Sequence, residues 1–217
     1  MLIVDSLSHA FGMHRVLNGI YLSVEAGEIV GVVGLNGCGK STMLRALVGT
    51  LIPDAMHLRL DGEPVDRAYR SGVIVYQPQD PYLPRRMRVR RVVGLALPGS
   101  AGRHAVAHTE RLAPLMGHRV AELSGGEQRY LEVLLATHFP AAVTLLDEPF
   151  TEIEPIHRPG LKDRVRAIAR DSGRSFIITD HAYRDVLATA DRVVVMVDGV
   201  LRPASGEADL RRWGYTP

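Results

Sequence analysis

The stretch GLNGCGKST, Gly34 to Thr42, constrains this chain more than any other. It satisfies G-x-x-x-x-G-K-[ST], and it stands between the apolar run Ile29–Val33 and a helical pattern, Ser41–Val48, that Gly49 stops. An apolar run of this kind predicts a strand buried on both faces, which needs parallel neighbours and covering helices. The loop itself predicts chemistry. Glycines at 34, 37 and 39 let backbone N–H groups close around phosphate oxygens, and the following helix adds its positive end. Lys40 can bridge β- and γ-phosphates as a point charge, and the Ser41 hydroxyl, beside Thr42, can bind Mg²⁺. Asn36 and Cys38 fill the loop; Cys38 reads as a small side chain in a tight place.

VTLLDEP, from Val143, supplies a second half to such a site. Its apolar residues carry Asp147 to the carboxyl end of a strand, where open parallel sheets bind ligands. Asp147 can hold Mg²⁺ through its water shell, and Glu148 can polarise an attacking water.

The rest of the chain alternates in the same manner. Leu2–Val4, Ile20–Val24, Val73–Tyr76, Phe176–Thr179 and Val193–Val197 read as strands, the last closing the series. Leu58–Leu60 with the turn Asp61-Gly62 reads as part of a small antiparallel pair. Glu127–Thr137, Leu161–Ala169 and Tyr183–Ala188 read as helices, and Met87–Leu115 as weakly helical with a break at Pro98–Gly102. Strands alternating with helices predict an α/β fold with a mainly parallel sheet. A length of 217 residues with 46% apolar content allows one domain with a substantial core. No apolar run reaches the ~18 residues a membrane span needs, and the N-terminus lacks the basic-then-apolar order of a secretory signal. The lone Cys38 cannot form an internal disulfide, so a reducing compartment is expected. A net charge of +2 gives no argument for nucleic acid.

A second anion loop, LSGGEQ from Leu123 to Gln128, remains. Ser124 offers a hydroxyl, Gly125 and Gly126 offer close backbone N–H groups, and the helix from Glu127 presents its positive end. Ser124 also has the form of a helix N-cap. With these segments in this order, the chain resembles the nucleotide-binding subunits of ATP-binding cassette (ABC) proteins over nearly its whole length. The resemblance implies a P-loop NTPase of RecA-like core, with an N-terminal antiparallel β subdomain and a short helical subdomain. It implies one domain over 1–217, the core from 1–78 and 140–217 and the helical, signature-bearing part from 79–139. Gly34–Thr42 is then the Walker A loop, Val143–Asp147 with Glu148 the Walker B strand and catalytic glutamate, and Leu123–Gln128 the signature. Phe11 stands where an aromatic stacks on adenine, and His181 in ITDH is the switch histidine. Gln79, rather than Gln77, is the Q-loop glutamine that reaches Mg²⁺ or the attacking water.

By the same resemblance the ligands are ATP and Mg²⁺, and the signature closes on the γ-phosphate held by a partner's Walker A. A second ABC subunit, identical or not, and an integral membrane permease are the partners implied, with no nucleic acid. The place implied is cytoplasmic, peripheral on the inner face of the cell membrane. ITDH looks more like the ATPases of lipopolysaccharide export and branched-chain amino acid uptake than the commoner T-H-D order. Two departures stand out. Glu154 occupies the position of the usual D-loop aspartate, and the helical insertion between Gln79 and Ser124, the part that docks the partner in transporters, is short. LPRRMRVRR, Leu83–Arg91, is a dense basic run that reads either as a solvated face or as part of a docking surface for acidic groups of a membrane partner or lipid heads. A soluble ABC ATPase acting on DNA or ribosomes stays open as an alternative, as does a clamp with little turnover. A single cassette without a long coiled-coil insertion speaks against the first, and Glu148 with His181 against the second.

Overall fold

A computed structural model describes residues 1–66 and 68–215. Ten strands occur among them: β1 Leu2–Phe11, β2 His14–Val24, β3 Ile29–Val33, β4 Ala55–Leu60, β5 Glu63–Pro64, β6 Ile74–Gln77, β7 Val143–Asp147, β8 Ser175–Thr179, β9 Arg192–Val197 and β10 Val200–Ala204. The helices are α1 Lys40–Val48, α2 Ala68–Ser71, α3 Val89–Ala96, α4 Ser100–Ala107, α5 Gly125–His138, α6 Arg158–Ser172, α7 Tyr183–Leu187 and α8 Glu207–Arg212.

Two sheets divide the strands. One is antiparallel in the order β2-β1-β4-β5; the other runs β10-β9-β3-β8-β7-β6. Every pairing in the second sheet is parallel except β9 with β10. β3, β7 and β8 are buried at every position, as their apolar runs require of strands covered on both faces. One face packs with α1 against the antiparallel sheet through Leu2, Val4, Val30, Val32, Leu44, Leu47 and Leu145. The other face packs under the helical segment and α6, joining Leu146, Phe176 and Ile178 to Val92, Leu131, Leu134 and Val165. The helical segment therefore shares its core with the parallel sheet. Trp213 and Tyr215 pack at the far edge with Val195 and Leu210.

Two readings need correction. Val193–Val197 is not the last strand: Asp198 and Gly199, both left-handed at φ 49° and 73°, turn the chain back into β10. β10 is an edge strand, which tolerates Pro203. The break at Pro98–Gly102 is confined to Pro98-Gly99, because Ser100–Gly102 open α4. A side chain at Gly102 would lie 3.3 Å from His138 O, so this glycine marks the approach of α4 to α5.

Candidate active site

β3 ends in the glycine loop and α1 begins at its far side, with Gly39 as N-cap at φ 113°, a conformation that favours glycine. The Lys40 ammonium turns onto the loop, donating to Gly34 O at 2.7 Å and Leu35 O at 3.1 Å. Cys38 is half-buried there, a free thiol against the core. The loop forms one wall of a cleft of about 500 Å³ lined by Asn36, Gly37, Gly39, Lys40, Ser41, Thr42, Gln79, Glu148 and His181. Six of these lie in the glycine loop and the first turn of α1; the other three come from the ends of β6, β7 and β8.

Two of those three, Gln79 and His181, converge on the carboxylate of the third, Glu148. Gln79 Nε2 donates to Glu148 Oε2 at 3.1 Å, Thr151 Oγ1 lies 3.4 Å from the same oxygen, and His181 Nδ1 lies 3.4 Å from it. Glu148 is held by its backbone as well. Its φ is 51°, unusual for a residue with a side chain, and its N–H donates to Thr179 O at 2.8 Å. Gln77, the other candidate, is buried and donates to Pro78 O, away from the cleft.

Asp147 lies one residue behind, fully buried. Its Oδ2 accepts from the Tyr76 hydroxyl at 2.9 Å and its Oδ1 from Thr179 Oγ1 at 2.5 Å. Burial, and then the Asp147 carboxylate itself, push the Tyr76 phenol well above its ordinary range, which keeps it a donor. Sequence reasoning missed Tyr76 and Thr179. The signal was the register: Thr179 pairs with Asp147 across β7 and β8, and Tyr76 pairs with Leu145 across β6 and β7. The cleft wall offers a cation the oxygens of the Ser41 hydroxyl, the Gln79 amide and the Glu148 carboxylate, while Asp147 lies buried behind Glu148 and outside the lining. A hard ion such as Mg²⁺ fits that set.

Phe11 and the signature stand outside the cleft's lining. Phe11 ends β1, 55% exposed, with its ring 4.6 Å edge-on from His9. Ser124 caps α5: its Oγ accepts from Glu127 N at 3.2 Å, and Glu127 Oε2 accepts from Ser124 N at 2.8 Å. The Glu127 carboxylate is thus committed to its own helix. Ser124 and Gly125 are exposed. The segment after Glu148 packs close to both glycines, against Gly126 with its backbone and against Gly125 with a side-chain end. A Cβ on Gly125 would meet Glu152 Oε2 at 2.7 Å, and one on Gly126 would meet Glu152 O at 2.5 Å. Glu154 is taken by Arg111 of the helical segment, whose hydrogen bond pulls the carboxyl below its usual range. Arg111 also lies over the Tyr130 ring, 5.5 Å from its centroid.

The basic run lines a groove with Pro84, Arg86, Met87, Arg88, Arg90, Arg91 and, from the segment before the signature, Arg119. Val120 N donates to Met87 O and Val89 N to His118 O, each at 2.9 Å, joining the two segments. The arginine ion pairs among the described residues all lie elsewhere. Among the same residues no helix is long and apolar enough to cross a membrane.

Comparison with known proteins gives one answer. Residues 17–151 match the family described as "ABC transporter". A protein of Halobacterium salinarum named as an ABC transporter ATP-binding protein is 34% identical, over 97% of this chain and 95% of its own. The lipopolysaccharide export system ATP-binding protein LptB of Escherichia coli is 33% identical, over 92% of this chain and 88% of its own. Among solved structures, an ATP-binding cassette described as dimeric, in a post-hydrolysis state with ADP and Pi, superposes with a TM-score of 0.80 at 18% identity, over 95% of this chain and all of that one. The α/β fold with its mainly parallel sheet is the fold of such cassettes.

Proposed function

Because this chain belongs to the ABC transporter family, we propose that it is the subunit that hydrolyses ATP to ADP and phosphate and drives a separate membrane protein. The observation that carries the reading is the convergence of Gln79 and His181 on Glu148 across one cleft from Lys40 and Ser41. In this reading the loop N–H groups and Lys40 hold the β- and γ-phosphates. Ser41, Gln79 and, through water, Asp147 would hold Mg²⁺, which would neutralise phosphate charge. Glu148 accepts the proton of the attacking water as it adds to the γ-phosphorus, and the β–γ bridging oxygen leaves with ADP. Gln79 and His181 orient that carboxylate and the water beside it. Tyr76 and Thr179 fix Asp147 so that it keeps its aim.

The signature has no work at its own cleft. Ser124 and Gly125 lie exposed at a helix N-terminus that contributes nothing to the cleft lining. A second subunit, placed head to tail, would bring its own such terminus over the γ-phosphate, while Phe11 of the subunit that holds the nucleotide would stack on the base. Closing the pair then depends on the triphosphate, and hydrolysis releases it. The unpaired arginines of the 84–91 groove are the docking surface for acidic groups of the membrane protein, which holds this subunit at the inner face of the membrane. Phosphate release from Mg·ATP, measured on wild type and Glu148→Gln, tests the reading. Release by wild type and its loss in the variant are expected; a wild type that binds ATP without turnover makes the chain a clamp instead.

A further inference from the structure

Helix α5 carries a charge pair that this chemistry leaves unused. Arg129 and Glu132 have side chains only 3% and 1% exposed, with Arg129 Nη1 lying 3.2 Å from Glu132 Oε2. Taking two charges out of water costs several kcal/mol per ion, and apolar side chains at such positions are often as stabilising. The Arg129 Nε is buried without a partner, so the pair is not tuned for stability. What distinguishes it is what it holds.

Arg129 donates from Nη1 to Pro78 O at 2.8 Å and from Nη2 to Gln79 O. Glu132 Oε1 accepts from Tyr82 N at 3.3 Å and from Gln128 Nε2 at 3.1 Å. One turn of α5 therefore grips the backbone from Pro78 to Tyr82. The Gln79 side chain leaves that gripped segment and reaches Glu148, while the N-terminus of the same helix is the signature. Only a guanidinium presents two N–H groups in a fork that spans adjacent carbonyls; an ammonium does not.

The geometry points to Arg129 and Glu132 as positioning residues that fasten the Gln79 segment to the signature helix, so that Gln79 meets Glu148 only when that helix is seated. The inference rests on the proposed ATPase reading and adds the link by which the signature is felt at the reacting centre.

The full chain with Arg129→Met/Glu132→Leu tests it, because an apolar pair removes the grip while keeping the packing. A merely structural pair would give back activity along with stability. Instead, kcat should fall at least about tenfold while KM for Mg·ATP stays within about twofold, since the Lys40 loop is untouched. In a Gln79→Ala background the same double substitution should lower kcat by less than about twofold. Wild-type kcat in the folded double variant, parallel changes in kcat and KM, or full additivity with Gln79→Ala each overturns the proposal. If the double variant does not fold, Arg129→Lys keeps the charge opposite Glu132 and loses the fork. It should then show the same kcat loss, roughly fivefold or more, and an unchanged kcat overturns the proposal. A readout without turnover separates this from the function it rests on. Amide exchange in peptides spanning residues 79–84 should accelerate about tenfold in the double variant, or in Arg129→Lys, and unchanged protection overturns the fastening. A wild type that releases no phosphate, with exchange behaving as described, overturns the ATPase reading alone.

Discussion

Alanine at 125 and alanine at 126 should behave differently, although the two glycines are adjacent and both open helix α5. At Gly125 the new methyl would meet Glu152 Oε2 at 2.7 Å. That atom ends an exposed, flexible side chain, and one rotamer change clears it. At Gly126 the methyl would meet Glu152 O at 2.5 Å, with Glu154 Oε2 at 3.2 Å. A carbonyl cannot swing away alone, and Glu152 already sits at φ 66°, where a residue with a side chain has little latitude. Forcing such a contact costs about 1–3 kcal/mol, against at most ~1 kcal/mol gained from helix propensity. Gly126→Ala should therefore lose about 1–2 kcal/mol of stability, and Gly125→Ala should stay within about 0.5 kcal/mol of wild type. Urea unfolding of both variants measures this directly. Equal midpoints would refute the claim that the segment after Glu148 rests on the signature. The displaced segment should also cost Gly126→Ala its Mg·ATP-dependent pairing at concentrations where wild type pairs.

Three further outcomes follow from the same geometry. Tyr76→Phe removes the donor to Asp147 Oδ2 and should cost about 1.5–3 kcal/mol in urea unfolding, the range for a bond to a charged acceptor. Burial holds the His138 imidazole below its ordinary 6.5, so the unfolded chain takes up a proton that the folded chain refuses. That contribution is complete above 6.5 and is lost as pH falls, so between about pH 7.5 and 5.5 wild type should lose more stability than His138→Gln. Replacing Arg85, Arg86 and Arg88 by Glu should leave phosphate release by the isolated subunit intact and abolish its capture by the membrane partner; capture at wild-type level counts against the docking surface.

Much of this was legible along the chain. Ile29–Val33 matches β3 residue for residue because an apolar run bounded by glycines has few alternatives, and Gly49 ends α1 at φ 86°. Asp61-Gly62 was read as a turn, and its φ values of 52° and 87° match those of Asp198-Gly199 closely. The second hairpin escaped because Arg202-Pro203 disguises the strand that follows, a substitution only an edge position allows. Gly102 looked like a break and is instead a contact. Within the site, residues on one strand–loop–helix unit were plain. The Tyr76–Asp147–Thr179 set was not, since it exists only in the register of three strands far apart in sequence. Nothing along the chain singles out Arg129 and Glu132; only their burial in the folded structure does. The choice between Gln77 and Gln79 turned on the proline between them, and the structure puts the second of the two on the cleft wall.

The central claim is that a triphosphate bound at Lys40 is completed by the signature of another subunit. Sedimentation of Glu148→Gln with saturating Mg·ATP measures this most directly, run alone and with a cassette-bearing companion. The account predicts a nucleotide-dependent dimer that dissociates when ATP is replaced by ADP. A species that stays monomeric in both arms would contradict it.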